Sequence, residues 1–93
     1  MSRLGICVLG AGDMGRTHLG AWQTVPGAEP VAVADIDEER AQSAKEEFGV
    51  GACFRAIEEA LDQPGIDIAS VCLPTYLHST ASESAMRRGI HVL

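Results

Sequence analysis

The sequence predicts an α/β fold, a doubly wound parallel sheet laid out as βαβαβαβαβ with strand order 3-2-1-4-5. Three observations carry this. Short apolar runs alternate with amphipathic stretches along the whole chain, the pattern of parallel strands joined by crossover helices. Turn signals, Pro26-Gly27, Gly49, Pro64-Gly65 and Gly89, fall where one pattern gives way to the other. The first apolar run also passes directly into a glycine-rich turn and then a helical stretch.

Leu4 to Leu9 is continuously apolar, as suits a strand covered on both faces. Met14 to Val25 has helical spacing, with Met14, His18 and Trp22 on one stripe and Thr17, Ala21 and Val25 beside it; Pro26-Gly27 stops it. Pro30 to Asp35 reads as the second strand. Asp37 then caps a helix whose first turn carries Glu38 and Glu39, favourable at the positive end of the helix dipole. Ala41, Ala44 and Phe48 form its inner face, and Gly49 closes it in a left-handed conformation. A short strand at Ala52 to Phe54 leads to a brief helix through Ile57, Ala60 and Leu61. Ile66 to Leu73 is the fourth strand, ended by Pro74. Thr80-Ala81-Ser82-Glu83 has the form of a capping box, opening a helix that closes at Arg87-Arg88 and Gly89. Ile90 to Leu93 begins a fifth strand.

Composition narrows the function classes. With four aromatic residues (Trp22, Phe48, Phe54 and Tyr76), the core must be built from Val, Ile, Leu and Ala. Seven basic against thirteen acidic side chains give a net charge of −6, which argues against a nucleic-acid partner. No apolar run approaches the roughly 18 residues a membrane helix needs. Met1-Ser2-Arg3-Leu4 runs straight into the first strand, without the apolar region of a signal peptide. Cys7, Cys53 and Cys72 lack CxxC spacing and read as reduced core thiols in a cytoplasmic protein, with no metal site.

The motif that bears on function is Gly10-Ala11-Gly12-Asp13-Met14-Gly15. A GxGxxG pattern is weak alone, but here it follows a buried strand and opens a helix. In that setting Gly10 permits the tight turn, Gly12 lets the backbone approach a pyrophosphate, and Gly15 lets the helix pack on the strand. The unpaired amides at the helix start then face the phosphates. Asp35 ends the second strand about 20 residues past Gly15, where a carboxylate accepts hydrogen bonds from the adenosine ribose. Asp37 fits the capping role better, which leaves Asp35 free. An acid at 35 and the apolar Ile36 favour NAD over NADP, although Arg40 keeps NADP open. S-adenosylmethionine and FAD domains share part of this pattern; the former usually place an acid just before the first glycine, where Val8 and Leu9 stand here.

Two further stretches carry a family resemblance. Gly12 to Trp22 resembles the first helix of the Gfo/Idh/MocA oxidoreductases, and Val71-Cys72-Leu73-Pro74-Thr75-Tyr76-Leu77-His78 resembles their TPxxxH-type segment. Ala81, Ala85 and Arg88 to Leu93 resemble the helix and strand that follow. The resemblance implies a Rossmann-like, incomplete N-terminal dinucleotide-binding domain over residues 1–93. It also implies that Leu73, Pro74 and Thr75 line the nicotinamide side of the cofactor mainly through backbone, with His78 nearby. The family more often shows Thr-Pro-Asn where Leu73-Pro74-Thr75 stands.

By the same resemblance, a Glu-Lys-Pro motif with an acid/base lysine should follow the fifth strand, and a second domain should bind a sugar, polyol or related hydroxyl compound. No catalytic residue is then expected here, and the chain alone should be inactive. The alternatives are a non-catalytic dinucleotide-binding module and an inactive fragment whose unpaired fifth-strand edge invites pairing with another chain; a homo-oligomer is left open. Elsewhere, His78 also fits a role flanking the last helix. His18 fits packing, His91 a structural place in a strand, and Arg16 a solvated position.

Overall fold

A computed structural model describes residues 3–93; the expected direct run from Met1 and Ser2 into the first strand lies outside them. The elements alternate without exception: β1 (Leu4–Leu9), α1 (Asp13–Trp22), β2 (Ala28–Ala34), α2 (Glu38–Phe48), β3 (Ala52–Phe54), α3 (Ile57–Leu61), β4 (Ile68–Val71), α4 (Thr75–Arg87) and β5 (His91–Val92). All strand pairs are parallel, in the order β3-β2-β1-β4-β5, as the periodicity predicts.

The period-two alternation of β1 sorts its side chains between two cores. Ile6 and Val8 pack with Leu19 of α1, Val33 of β2 and Ala44 of α2. Cys7 and Leu9 face the other way, onto Ala60 and Leu61 of α3 and Ala81 and Ala85 of α4. Alanines dominate the core under α3 and α4, so those helices approach the sheet closely, while Ile, Val and Leu fill the core under α1 and α2. Ser70 is a fully buried polar residue in β4, and its hydroxyl accepts a 2.8 Å hydrogen bond from the Trp22 indole. Asp62 after α3 and Arg88 after α4 form an ion pair at 2.7 Å, and the guanidinium holds the Asp62 carboxyl below its ordinary range.

Several element boundaries differ from expectation. β2 begins at Ala28 rather than Pro30, and its register against β1 slips so that Ile6 faces Pro30 while Cys7 faces Ala32. Proline has no N–H to give the ladder, so the extra residue, Val31, is accommodated beside it. α1 ends at Trp22, because the amides of Thr24 and Val25 turn back three residues to Ala21 and Trp22. β4 is shorter than Ile66 to Leu73. Before it, Asp67 accepts the Gly5 amide through its side chain.

Two expectations about helices are corrected. The Met14–His18–Trp22 stripe faces inward only in part: Gly15 and Leu19 are the buried residues of α1, Trp22 packs against the core, His18 is half-buried and Met14 is 61% exposed. The seating of Gly15 on the end of β1 fixes the helix rotation and turns Met14 outward. Thr80-Ala81-Ser82-Glu83 does not open α4, which starts at Thr75 directly after Pro74. β4 has already ended at Val71, Pro74 suits the helix entrance as its N-cap, and the buried residues Ala81, Ser84 and Ala85 continue a helical face that includes half-buried Leu77.

Candidate active-site cleft

The carboxyl ends of β1, β2 and β4 lie level with one another, since Leu9 is in register with both Ala34 and Val71. The chain reverses its direction of travel across the sheet at β1, so the crevice beyond β1 and β4 is the topological switch point. A cleft of about 390 Å³ opens there.

Gly10 is wedged at its floor. Its amide donates to the Ala34 carbonyl at 2.7 Å, and its φ of 106° is a conformation that side chains disfavour. A Cβ on it would lie 2.5 Å from the Cys72 carbonyl oxygen. Gly15 is equally constrained, since its Cβ would lie 1.8 Å from the Gly10 carbonyl oxygen. Gly12 differs: nothing lies within 4 Å of an added Cβ, because its missing side chain would project into the open cleft. Gly12 is also the N-cap of α1, with no side chain closing the helix start. The first intrahelical bond runs from Arg16 N–H to the Gly12 carbonyl, so the amides just before Arg16 lack helical partners.

Asp35 is not free, contrary to expectation. One carboxylate oxygen accepts the Ala11 amide at 2.8 Å and the other accepts the Asp37 amide at 2.8 Å. Capping of α2 falls to Asp37 as predicted, through bonds from the Glu39 and Arg40 amides, and Gly49 closes that helix at φ 64°. The Ala11 amide is therefore committed to protein rather than open to a ligand.

Of the residues singled out in the sequence, Gly10, Gly12, Asp13, Met14, Asp35, Ile36, Arg40, Leu73 and Pro74 line the cleft, Arg40 being the one that keeps NADP open. Ala11 lines an adjoining hollow with Arg16, Asp37 and Ser43, while Gly15 is buried behind the loop. Thr75 opens α4 and is exposed, outside the cleft lining. His78 also lies outside it: its Nε2 is 2.8 Å from the Leu73 carbonyl. A carbonyl only accepts, so this nitrogen carries the proton and the ring braces the turn from β4 into α4.

Cys72, Tyr76 and Leu77 join the lining without having been singled out. Placing the helix start at Thr75 would have found Tyr76 and Leu77, as first-turn residues beside the strand end. Burial pushes the Cys72 thiol up to about 11 and the Cys7 thiol up to about 12, so neither is a ready nucleophile. Among the described residues no cluster of His, Cys, Asp and Glu could hold a metal, and no helix is long and apolar enough to cross a membrane.

This cleft can be compared with known proteins. Residues 4–93 match the Gfo/Idh/MocA description "Oxidoreductase family, NAD-binding Rossmann fold". The chain belongs to that family.

Gfo/Idh/MocA relatives match nearly the full length of this chain. Inositol 2-dehydrogenase of Streptomyces avermitilis is 37% identical over 91 residues, covering 97% of this chain and 26% of the relative. Glucose-6-phosphate 3-dehydrogenase of Bacillus subtilis is 35% identical, covering 100% of this chain and 25% of the relative. The structure of scyllo-inositol dehydrogenase from Lactobacillus casei, with bound NAD(H) and scyllo-inositol, superimposes with a TM-score of 0.90 at 26% identity. That match covers 98% of this chain and 27% of the other. The chain thus spans about a quarter of the length of the relatives it matches. The family's NAD-binding Rossmann fold is the fold described above.

Proposed function

We propose that this chain seats NAD in the cleft beyond β1, β2 and β4, as the cofactor-binding unit of an oxidoreductase acting on a hydroxyl of a sugar, polyol or related compound. The observation that carries the reading is the asymmetry of the glycine loop. Gly10 and Gly15 are hemmed in by backbone, while the open face of Gly12 is a cradle that any Cβ would fill. A pyrophosphate fits there, against the amides of Gly12, Asp13 and Met14 and the positive end of α1.

When bound, NAD supplies the carbon that accepts or donates hydride. The chain's own residues bind and orient it. Asp35 retains a lone pair on each oxygen for the ribose hydroxyls, and its charge disfavours the extra phosphate of NADP. Ile36, 85% exposed at the cleft edge, offers an apolar surface for the adenine. Leu73 and Pro74 border the nicotinamide side, with His78 bracing the Leu73 carbonyl and Thr75 at the rim as the first residue of α4.

Among the described residues the cleft lining carries no histidine or lysine to exchange a proton with a substrate, which supports reading residues 1–93 as a cofactor-binding domain that does no chemistry alone. Substrate contacts and any homo-oligomer would draw on sequence of the kind that fills the rest of the relatives. The acidic composition supports the absence of nucleic-acid partners, and the reduced thiols support a cytoplasmic setting.

Calorimetric titration of the chain with NAD, NADP and S-adenosylmethionine tests this. Binding is expected for NAD, more weakly for NADP, and not for S-adenosylmethionine. Heat from S-adenosylmethionine with none from NAD would overturn the reading.

A further inference from the structure

We propose that Asp35 is a positioning residue that builds the glycine loop, independently of any contact with the ribose. It rests on the reading of residues 10–15 as the phosphate-facing loop. The two oxygens of one carboxylate bind two separate segments. Oδ2 accepts the Ala11 amide at 2.8 Å, from the loop between β1 and α1. Oδ1 accepts the Asp37 amide at 2.8 Å, from the turn between β2 and α2. Asp35 itself is tied to a third strand, its amide donating to the Phe54 carbonyl at 3.0 Å.

Ala11 lies between Gly10, which is pinned to Ala34 and pressed on Cys72, and Gly12, whose open face is the cradle. Holding the Ala11 amide therefore sets the peptide planes on which the cradle depends. Two backbone N–H donors converge on this side chain, so only a group accepting on both sides satisfies them. An ionised carboxylate does so, whereas an asparagine must turn its NH₂ toward one donor and leave that amide unpaired. Asp35 thus acts through Ala11 as well as through a ligand, and its removal weakens every phosphate-bearing ligand of the loop.

The test uses Asp35→Asn and Asp35→Glu in the whole chain, with two readouts. The first is hydrogen exchange of the ligand-free protein. Ala11 or Asp37 amide exchange is expected to accelerate about tenfold or more in Asp35→Asn, with Val8 and Val33 unchanged as a check on folding. The second is affinity for ADP and for 2′,3′-dideoxy-ADP, which keeps the phosphates and lacks the ribose hydroxyls. Asp35→Asn is expected to weaken the dideoxy nucleotide about tenfold. Asp35→Glu keeps two acceptor oxygens and is expected to lose less than Asp35→Asn in both readouts.

Unchanged protection at both amides, equal dideoxy-ADP binding by wild type and Asp35→Asn, or a larger loss in Asp35→Glu overturns the proposal. Should the wild type bind neither nucleotide, the dinucleotide reading fails instead, and amide exchange alone decides the role of Asp35.

Discussion

A single methyl group separates the three glycines of the loop. Gly15→Ala puts a Cβ 1.8 Å from the Gly10 carbonyl oxygen, and Gly10→Ala adds a disfavoured φ of 106° to a 2.5 Å approach. Each is expected to cost about 2–3 kcal/mol in urea unfolding, at the upper end of overpacking penalties. Gly12→Ala meets nothing within 4 Å, so its stability should stay within about 0.5 kcal/mol of wild type. Its NAD affinity, by contrast, should fall at least about tenfold, because the methyl occupies the cradle. The thiols give a pH test. Cys7 is raised from 9.0 to about 12 by burial, so the folded state holds its proton where an unfolded thiol would release it. This contribution is fully present below pH 9 and is lost as pH rises from 9 to 12; Cys7→Ala should flatten that alkaline slope in a denaturation series. The glycines and Asp35 stood out in the sequence because their spacing has a mechanism attached. The two hydrogen bonds that Asp35 accepts from the Ala11 and Asp37 amides did not, since spacing along a chain says nothing about which loop a side chain meets across the sheet.

Helix entrances show how far local pattern reaches. Asp37 caps α2 through two amides, as its place before Glu38 and Glu39 predicts. Asp37→Ala is expected to lower stability by about 1 kcal/mol, read from the shift in unfolding midpoint. The entrance to α4 was misread because Thr80 to Glu83 matches a capping box in sequence while lying inside a continuous helix. The decisive signal is Pro74, the N-cap of α4, which admits the helix three residues after β4 has ended at Val71. α1 was misrotated for a related reason. Counting apolar residues favours Met14, but the residue that must touch the sheet is the one with no side chain, Gly15. Tertiary contact, not hydrophobicity, sets that helix's rotation.

On the scale of the whole molecule, strand order, parallel pairing and the location of the cleft were all legible, because alternation of elements and right-handed crossovers leave few arrangements open. A cofactor bound only by the native state adds its binding energy to stability. NAD at about one hundred times its Kd should therefore raise unfolding stability by about 2.7 kcal/mol, visible as a rise in Tm. S-adenosylmethionine should leave Tm unchanged, and a flat NAD response would exclude native-state binding. The central place of β1 has a kinetic side. This strand precedes the other four described strands, yet one of its edges stays bare until β4 has crossed to it. A nascent chain ending before Ile68 holds an apolar ribbon with half its ladder missing, and has no second core to bury Cys7 and Leu9 against α4. The free edge of β1 therefore stays open to pairing with another chain until β4 docks, and the second core closes only once α4 has covered it.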